Sequence, residues 1–168
     1  MAAERRVARL GAHLCASQTQ VAESLRPFHL AFPVHDLDAA RTFYGTVLGC
    51  LQGREAPGKW IDYSLFGHQI VCHYVGPDYR APGYFNPVDS DEVPVPHFGI
   101  VLTEPQFHEL AARLKQVDTK FVIKPHLRFK GFPGEQWTMF FKDPSGNALE
   151  FKAMKNPENL FARYEVHD

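Results

Sequence analysis

PFHLAFPV (residues 27–34) and VPHFGIVL (residues 95–102) decide how this chain is read. Each is a short run of bulky apolar residues with a histidine at its third position. Side chains on a strand alternate between two faces. Phe28, Leu30 and Phe32 therefore share one face, and His29, Ala31 and Pro33 the other. In the second run Phe98, Ile100 and Leu102 oppose His97, Gly99 and Val101. One face is packing surface. The other is lined by small residues and carries an imidazole, as the floor of a cavity would. For either histidine alone, a hydrogen-bonded core residue is the plain alternative. At matching positions of a repeat, the pair points to ligation or proton transfer.

The repeat extends outward from both runs. After the first comes DLDAARTFYGTVLG (36–49), with Asp36 placed to cap a helix, an apolar stripe through Leu37, Ala40, Phe43, Tyr44, Val47 and Leu48, and Gly49 placed to end it. KWIDYSLF (59–66) and HQIVCHYV (68–75), joined at Gly67, read as a hairpin. After the second run, TEPQFHELAARLKQV (103–117) repeats the helix, capped by Thr103 and with Phe107, Leu110, Ala111 and Leu114 inward. A strand near 120–124 follows, then EQWTMFF (135–141) and NALEFKAM (147–154) around the turn KDPSG. The histidines align at an offset of 68 (97 − 29). One helix on a half-sheet cannot bury both faces, so two such halves pair. The expected fold is α+β: two modules, 27–76 and 95–154, each a strand, a helix and about three strands, paired into one curved sheet. Residues 77–94, rich in Pro, Gly and Asp, read as the linker, 1–26 as an N-terminal extension and 155–168 as a C-terminal tail carrying Leu160, Phe161 and Tyr164.

A third polar residue interrupts an apolar strand: Glu150, between Leu149 and Phe151. A buried carboxylate is costly unless paired or metal-bound. His29, His97 and Glu150 converging from three strands make a two-histidine, one-carboxylate face, suited to Fe(II), Mn, Ni or Zn. His73 is read as the first half's counterpart of Glu150, and stands as a fourth ligand, an acid/base group or a plain strand residue. His68, at the hairpin, is a second acid/base candidate or a turn residue. Tyr63, Tyr84, Phe85, Phe132 and Trp137 are aromatic candidates for a pocket wall, with core packing the alternative for each.

The totals set bounds. The chain has 168 residues, 45% hydrophobic and 22% charged, with a net charge of −1, which suits one globular domain and gives no basic field for nucleic acid. No apolar run approaches the ~20 residues of a membrane span. Cys15, Cys50 and Cys72 are odd in number and widely spaced, so they read as reduced thiols in the cytoplasm. Arg5, Arg6 and Arg9, with Val7, Leu10 and Leu14 on one helical face, leave organelle targeting by residues 1–26 as the alternative.

FHLAFPVHDLDAARTFYGTVLGC (28–50), VPHFGIVL (95–102) and FFKDPSGNALEF (140–151) together resemble the vicinal oxygen chelate superfamily, which includes glyoxalase I, extradiol dioxygenases, fosfomycin-resistance transferases and bleomycin-binding proteins. FGHQIV (66–71), RFKGFPGEQWTMFF (128–141) and DPSGNALEFK (143–152) are most similar to its predicted extradiol dioxygenase-like group. The resemblance covers 27–154. It implies two paired βαβββ modules forming a curved, partly open mixed β-barrel around a metal site, and a divalent metal, Fe(II) first, on His29, His97 and Glu150. It implies an acid/base histidine at His68. The fourth ligand position, a glutamate in glyoxalase I, falls on His73. The tyrosine that extradiol enzymes carry ten residues before the carboxylate ligand is Phe140 here, leaving Arg128, Glu135 and Gln136 as candidate polar contacts to substrate. The implied activity is ring opening of a catechol-like substrate by a homodimer. The alternatives are a glyoxalase-type isomerase or lyase and a non-catalytic binding protein.

Overall fold

The computed structural model describes residues 26–165. The N-terminal extension up to residue 25, with Cys15 and the targeting reading, lies outside them. Module one is β1 (His29–Val34), a helix α1 (Leu37–Ala40, continuing as a π-helix Arg41–Val47), then β2 (Leu51–Ala56), β3 (Trp60–Leu65) and β4 (His68–Tyr74). Module two is β7 (His97–Val101), α2 (Glu104–Gln116), β8 (Phe121–Arg128), β9 (Gln136–Lys142) and β10 (Ala148–Met154). Between them lies an antiparallel hairpin, β5 (Tyr84–Val88) and β6 (Asp91–Val95). The stretch read as linker thus contains two strands. Its prolines hid them, yet Pro87 and Pro94 sit in a two-stranded ribbon where each strand has a free edge.

The two sheets have the same order, β1-β4-β3-β2 and β7-β10-β9-β8, each with its first strand parallel to its last. Local chemistry sets the boundaries as expected. Asp36 Oδ1 accepts from the backbone N–H groups of Asp38 and Ala39 at 2.8 and 3.0 Å. Thr103 and Gln106 form a reciprocal capping box at the start of α2. Gly49, at φ +73°, ends the first helix. That helix widens around Gly45: Leu48 N–H reaches back five residues to Phe43 O at 2.9 Å.

One apolar core serves both modules. Phe32, Tyr44, Ile61 and Leu65 of the first lie in it with Phe107, Leu114, Phe141, Leu149 and Phe151 of the second. Phe32 meets Phe98 at 4.8 Å between ring centroids, and Phe141 stacks on Phe151 at 5.8 Å. The helix-facing sides of the two sheets are therefore consumed in packing. Their opposite faces, called cups below, carry His29, Gln69, Val71 and His73 in module one, and His97, Glu150, Thr138 and Phe140 in module two. The tail beyond Met154 forms a 3-10 turn, Pro157–Phe161, with Phe161 exposed, and lays the Tyr164 hydroxyl over Gly134.

Candidate metal centre

The second cup holds a preformed donor pair. Glu150 is buried, and its Oε2 lies 3.3 Å from His97 Nε2. Thr138 Oγ1 donates to the other carboxylate oxygen, Oε1, at 2.9 Å, and Lys152 Nζ stands 3.5 Å from Oε2. His97 Nδ1 lies 2.6 Å from Pro94 O. A carbonyl only accepts, so Nδ1 carries the proton and Nε2 is the nitrogen offered to Glu150. Burial works against an ionised Glu150, but His97, Lys152 and Thr138 outweigh it, and its pKa lies below the ordinary carboxylate value. The bond to Glu150 raises the His97 pKa, against the effect of burial. Two donors at about 2.1 Å from one ion at right angles would be about 3.0 Å apart. The observed spacing fits a cation in place of the shared proton. Phe140 stands edge-on to the His97 ring at 5.1 Å.

The first cup presents its histidine in the same manner. His29 Nδ1 lies 2.7 Å from Gln69 Oε1, while Gln69 Nε2 donates to Asp62 Oδ2 at 2.9 Å. His29 is exposed, with Gln69 as its hydrogen-bond partner. Among the described residues, no three or more His, Cys, Asp or Glu lie close enough together to hold a metal ion.

Strand register places the other candidates. His29 pairs with Gln69 and Ala31 with Val71; His97 pairs with Ala148 and Gly99 with Glu150. The counterpart of Glu150 is therefore Val71, a buried apolar residue, and not His73, which lies two positions further along the same face. His73 is exposed in the first cup, 6.4 Å from the Trp60 ring. His68 alternates to the face opposite Gln69, and its Nδ1 accepts the Phe28 N–H at 2.9 Å. Arg128 and Gln136 are buried on the second cup's face as register neighbours. The Arg128 guanidinium donates to Asp91 at 2.6 Å, is 5.7 Å from the Phe140 ring, and leaves its buried Nε–H without a partner. Asp91 also meets His126 at 3.1 Å, so this carboxylate fastens the β5–β6 hairpin over the cup. Glu135 faces elsewhere: it accepts the Gly131 N–H at 2.6 Å and closes a loop. Of the aromatic candidates, Tyr63 is core, Trp137 donates to Glu104 at 3.0 Å beside α2, and Phe132 is exposed on a loop.

Asp62 and Gln69, absent from the sequence reading, are the residues that back His29. An aspartate inside KWIDYSLF, at an alternate position from Ile61 and Tyr63, was the available signal. The turn DPSGN also does more than reverse the chain. Asp143 accepts from Ser145 N, Asn147 N and Tyr44 Oη, and Asn147 Nδ2 donates to Pro33 O of β1 at 2.9 Å, so the turn clamps module two to module one.

The comparisons with known proteins agree with this architecture. Residues 26–151 match the Glyoxalase/Bleomycin resistance protein/Dioxygenase superfamily, and the chain belongs to that family. It is 34% identical to a glyoxalase/bleomycin resistance protein/dioxygenase from Alicyclobacillus acidocaldarius, over 84% of this chain and all of that one, with a TM-score of 0.70. A lactoylglutathione lyase from Agrobacterium tumefaciens shares the fold at 20% identity and a TM-score of 0.57, covering 84% of this chain and 99% of the other. So does a fosfomycin resistance protein from Listeria monocytogenes, at 16% identity and a TM-score of 0.56, covering 78% and 93%. No curated protein matches significantly. Among the described residues no helix is long and apolar enough to cross a membrane.

Proposed function

We propose that the chain is a metal-dependent enzyme in which His29, His97 and Glu150 hold one divalent ion, Fe(II) before Mn, Ni or Zn, and that it opens a catechol-like ring in the extradiol manner. The observation that carries this reading is Val71. The repeat offers a second carboxylate position and fills it with an apolar side chain, so the donor set stops at two imidazoles and one carboxylate. That set, with sites left open, suits non-haem iron and a substrate bringing two adjacent oxygens. A glyoxalase-type reaction, which needs a base at that position, is disfavoured by the same valine.

When bound, the metal supplies Lewis acidity that makes a coordinated hydroxyl easier to deprotonate. The chain's own residues supply the rest. Thr138 holds one Glu150 oxygen and leaves the other for ligation. Ala31 keeps the exposed face beside His29 small, and Phe140 forms an apolar wall beside His97. His73, on the same face as His29, is the acid/base candidate in preference to His68, whose Nδ1 is engaged. Both cup faces also expose apolar side chains, Leu51 in the first and Val101 in the second. The reading therefore includes a homodimer in which one copy's His29 meets the other's His97 and Glu150.

The test is metal content of anaerobically purified protein with oxygen uptake on a catechol panel. One iron per dimer half and catechol-dependent uptake is the expected result. Nickel or zinc without uptake moves the reading to the isomerase or lyase; ligand binding without turnover moves it to a binding protein. Dimer completion has its own test. H29A and H97A each lose the metal, but a mixture of the two chains recovers about a quarter of the sites, because half the dimers are mixed and each restores one site.

A further inference from the structure

We infer that Gln69 and Asp62 are positioning residues that hold the His29 imidazole in its Nδ1–H tautomer and leave Nε2 as the free lone pair facing the first cup. The ligand role of Nε2 rests on the metal reading above; the tautomer itself does not.

The inference follows from donor and acceptor identities along one chain of contacts. Asp62 is 4% exposed. Every group on its carboxylate is a donor: the Arg54 backbone N–H on Oδ1, and Arg54 Nε and Gln69 Nε2 on Oδ2 at 3.1 and 2.9 Å. A carboxylate that accepts from Gln69 fixes which end of that amide is nitrogen. The amide oxygen then faces His29 Nδ1 at 2.7 Å and can only accept. The proton must sit on Nδ1, and the neutral ring must present Nε2 bare. Reversing the amide would bring its NH2 against Nδ1 and place the ring proton on Nε2.

The backbone is shaped for this. A Cβ at Gly53 would lie 2.2 Å from Asp62 Oδ1, so only glycine lets the carboxylate settle against β2. The β2–β3 register shifts between Gln52 and Glu55, which turns the Arg54 N–H onto Asp62. Through the repeat, Asp62 pairs with Val71 as Phe140 pairs with Glu150. The carboxylate of the first half thus sits on the neighbouring strand and acts on its histidine through Gln69.

The experiment is 15N NMR of the His29 ring in the metal-free full chain above the imidazole pKa, with zinc affinity measured in parallel. Wild type is expected to show Nδ1 protonated and Nε2 bare. Q69L is expected to lose the lock and to shift His29 toward Nε2–H, with zinc affinity lower by about 10- to 100-fold. D62N lets the Gln69 amide turn round and does the same. The double variant D62N/Q69E exchanges donor and acceptor across one contact and restores Nδ1–H, which a merely structural role would not do. Nε2–H in wild type, or an unchanged tautomer in Q69L, overturns the inference. The ring signal reads the lock whether or not metal binds. A locked wild type that takes up no zinc therefore upholds the inference and sinks the metal reading instead.

Discussion

Asn147→Ala tests whether the DPSGN turn is a clamp between modules or only a chain reversal. The side chain donates to Pro33 O at 2.9 Å and to Asp143 Oδ2 at 2.8 Å. A neutral bond is worth about 1 kcal/mol and one to a carboxylate about 1.5–3 kcal/mol. Asp143 keeps three other donors, so the lower end applies, and the total is about 2.5 kcal/mol. For a chain of this size that is a fall in Tm of about 5–10 °C, read by circular dichroism. Tyr44→Phe removes the other side-chain donor on the same oxygen, at 2.9 Å, and should cost about 1.5 kcal/mol. The double variant leaves a buried oxygen with no donor and should lose about 1 kcal/mol more than the sum. The pH dependence is fixed in sign. Burial raises the Asp143 pKa above its ordinary 3.8. A carboxyl raised on folding costs stability at neutral pH, and that cost disappears as pH falls through its folded value. The Asn147→Ala penalty should therefore shrink in acid. A Tm within about 2 °C of wild type, or strict additivity with Tyr44→Phe, would refute the clamp.

Gly99→Ala should fail to fold or lose about 3 kcal/mol or more, because its Cβ would fall 1.6 Å from Glu150 O and part β7 from β10; soluble yield and Tm check this, and a wild-type Tm counts against it. Asp91→Ala leaves the buried Arg128 guanidinium without its carboxylate and should cost about 3–5 kcal/mol, more than Arg128→Met, which removes the charge as well; urea titration ranks the two. In metal-free protein the His97–Glu150 pair should stabilise most between about pH 4.5 and 6.5. His97, raised on folding, contributes fully below 6.5 and fades as pH rises through its folded value. Glu150, lowered on folding, contributes above 4.5 and fades in acid. Glu150→Gln should flatten that profile in thermal melts.

The fold was legible because its signals are local and repeated. Period-two runs with histidine at the third position, capping residues at 36 and 103, and turn glycines at 49 and 67 each say the same thing at one level. The β5–β6 hairpin was not legible, since Pro87 and Pro94 contradict a central strand and nothing in sequence marks a free edge. His73 was matched to Glu150 by its place near a strand end. Register alone decides such a match: Val71, two residues earlier, is the partner of Ala31 as Glu150 is of Gly99. A slip of two keeps the same face, so alternation could not expose the error. Asp62 and Gln69 escaped because their meaning lies in the direction of a hydrogen bond between strands, and no spacing rule encodes it.

The same register explains how a repeat with two similar histidines makes an asymmetric centre. Each half buries a carboxylate on the cup face of its sheet. In the second half it stands on β10, directly against His97, 3.3 Å from its Nε2, where the proposed reading makes it a ligand. In the first half it stands one strand further out, accepting from Arg54 and Gln69, and it reaches His29 only through the Gln69 amide. Two carboxylates at the ion would neutralise a divalent cation and fill a fourth position. On the proposed metal reading, one carboxylate leaves a net positive charge and an apolar residue, Val71, at the fourth position, which favours an anionic oxygen from a substrate over a further ligand from the protein. The proposed asymmetry thus rests on one strand pair: Asp62 opposite Val71 in the first half, where the second sets Phe140 opposite Glu150.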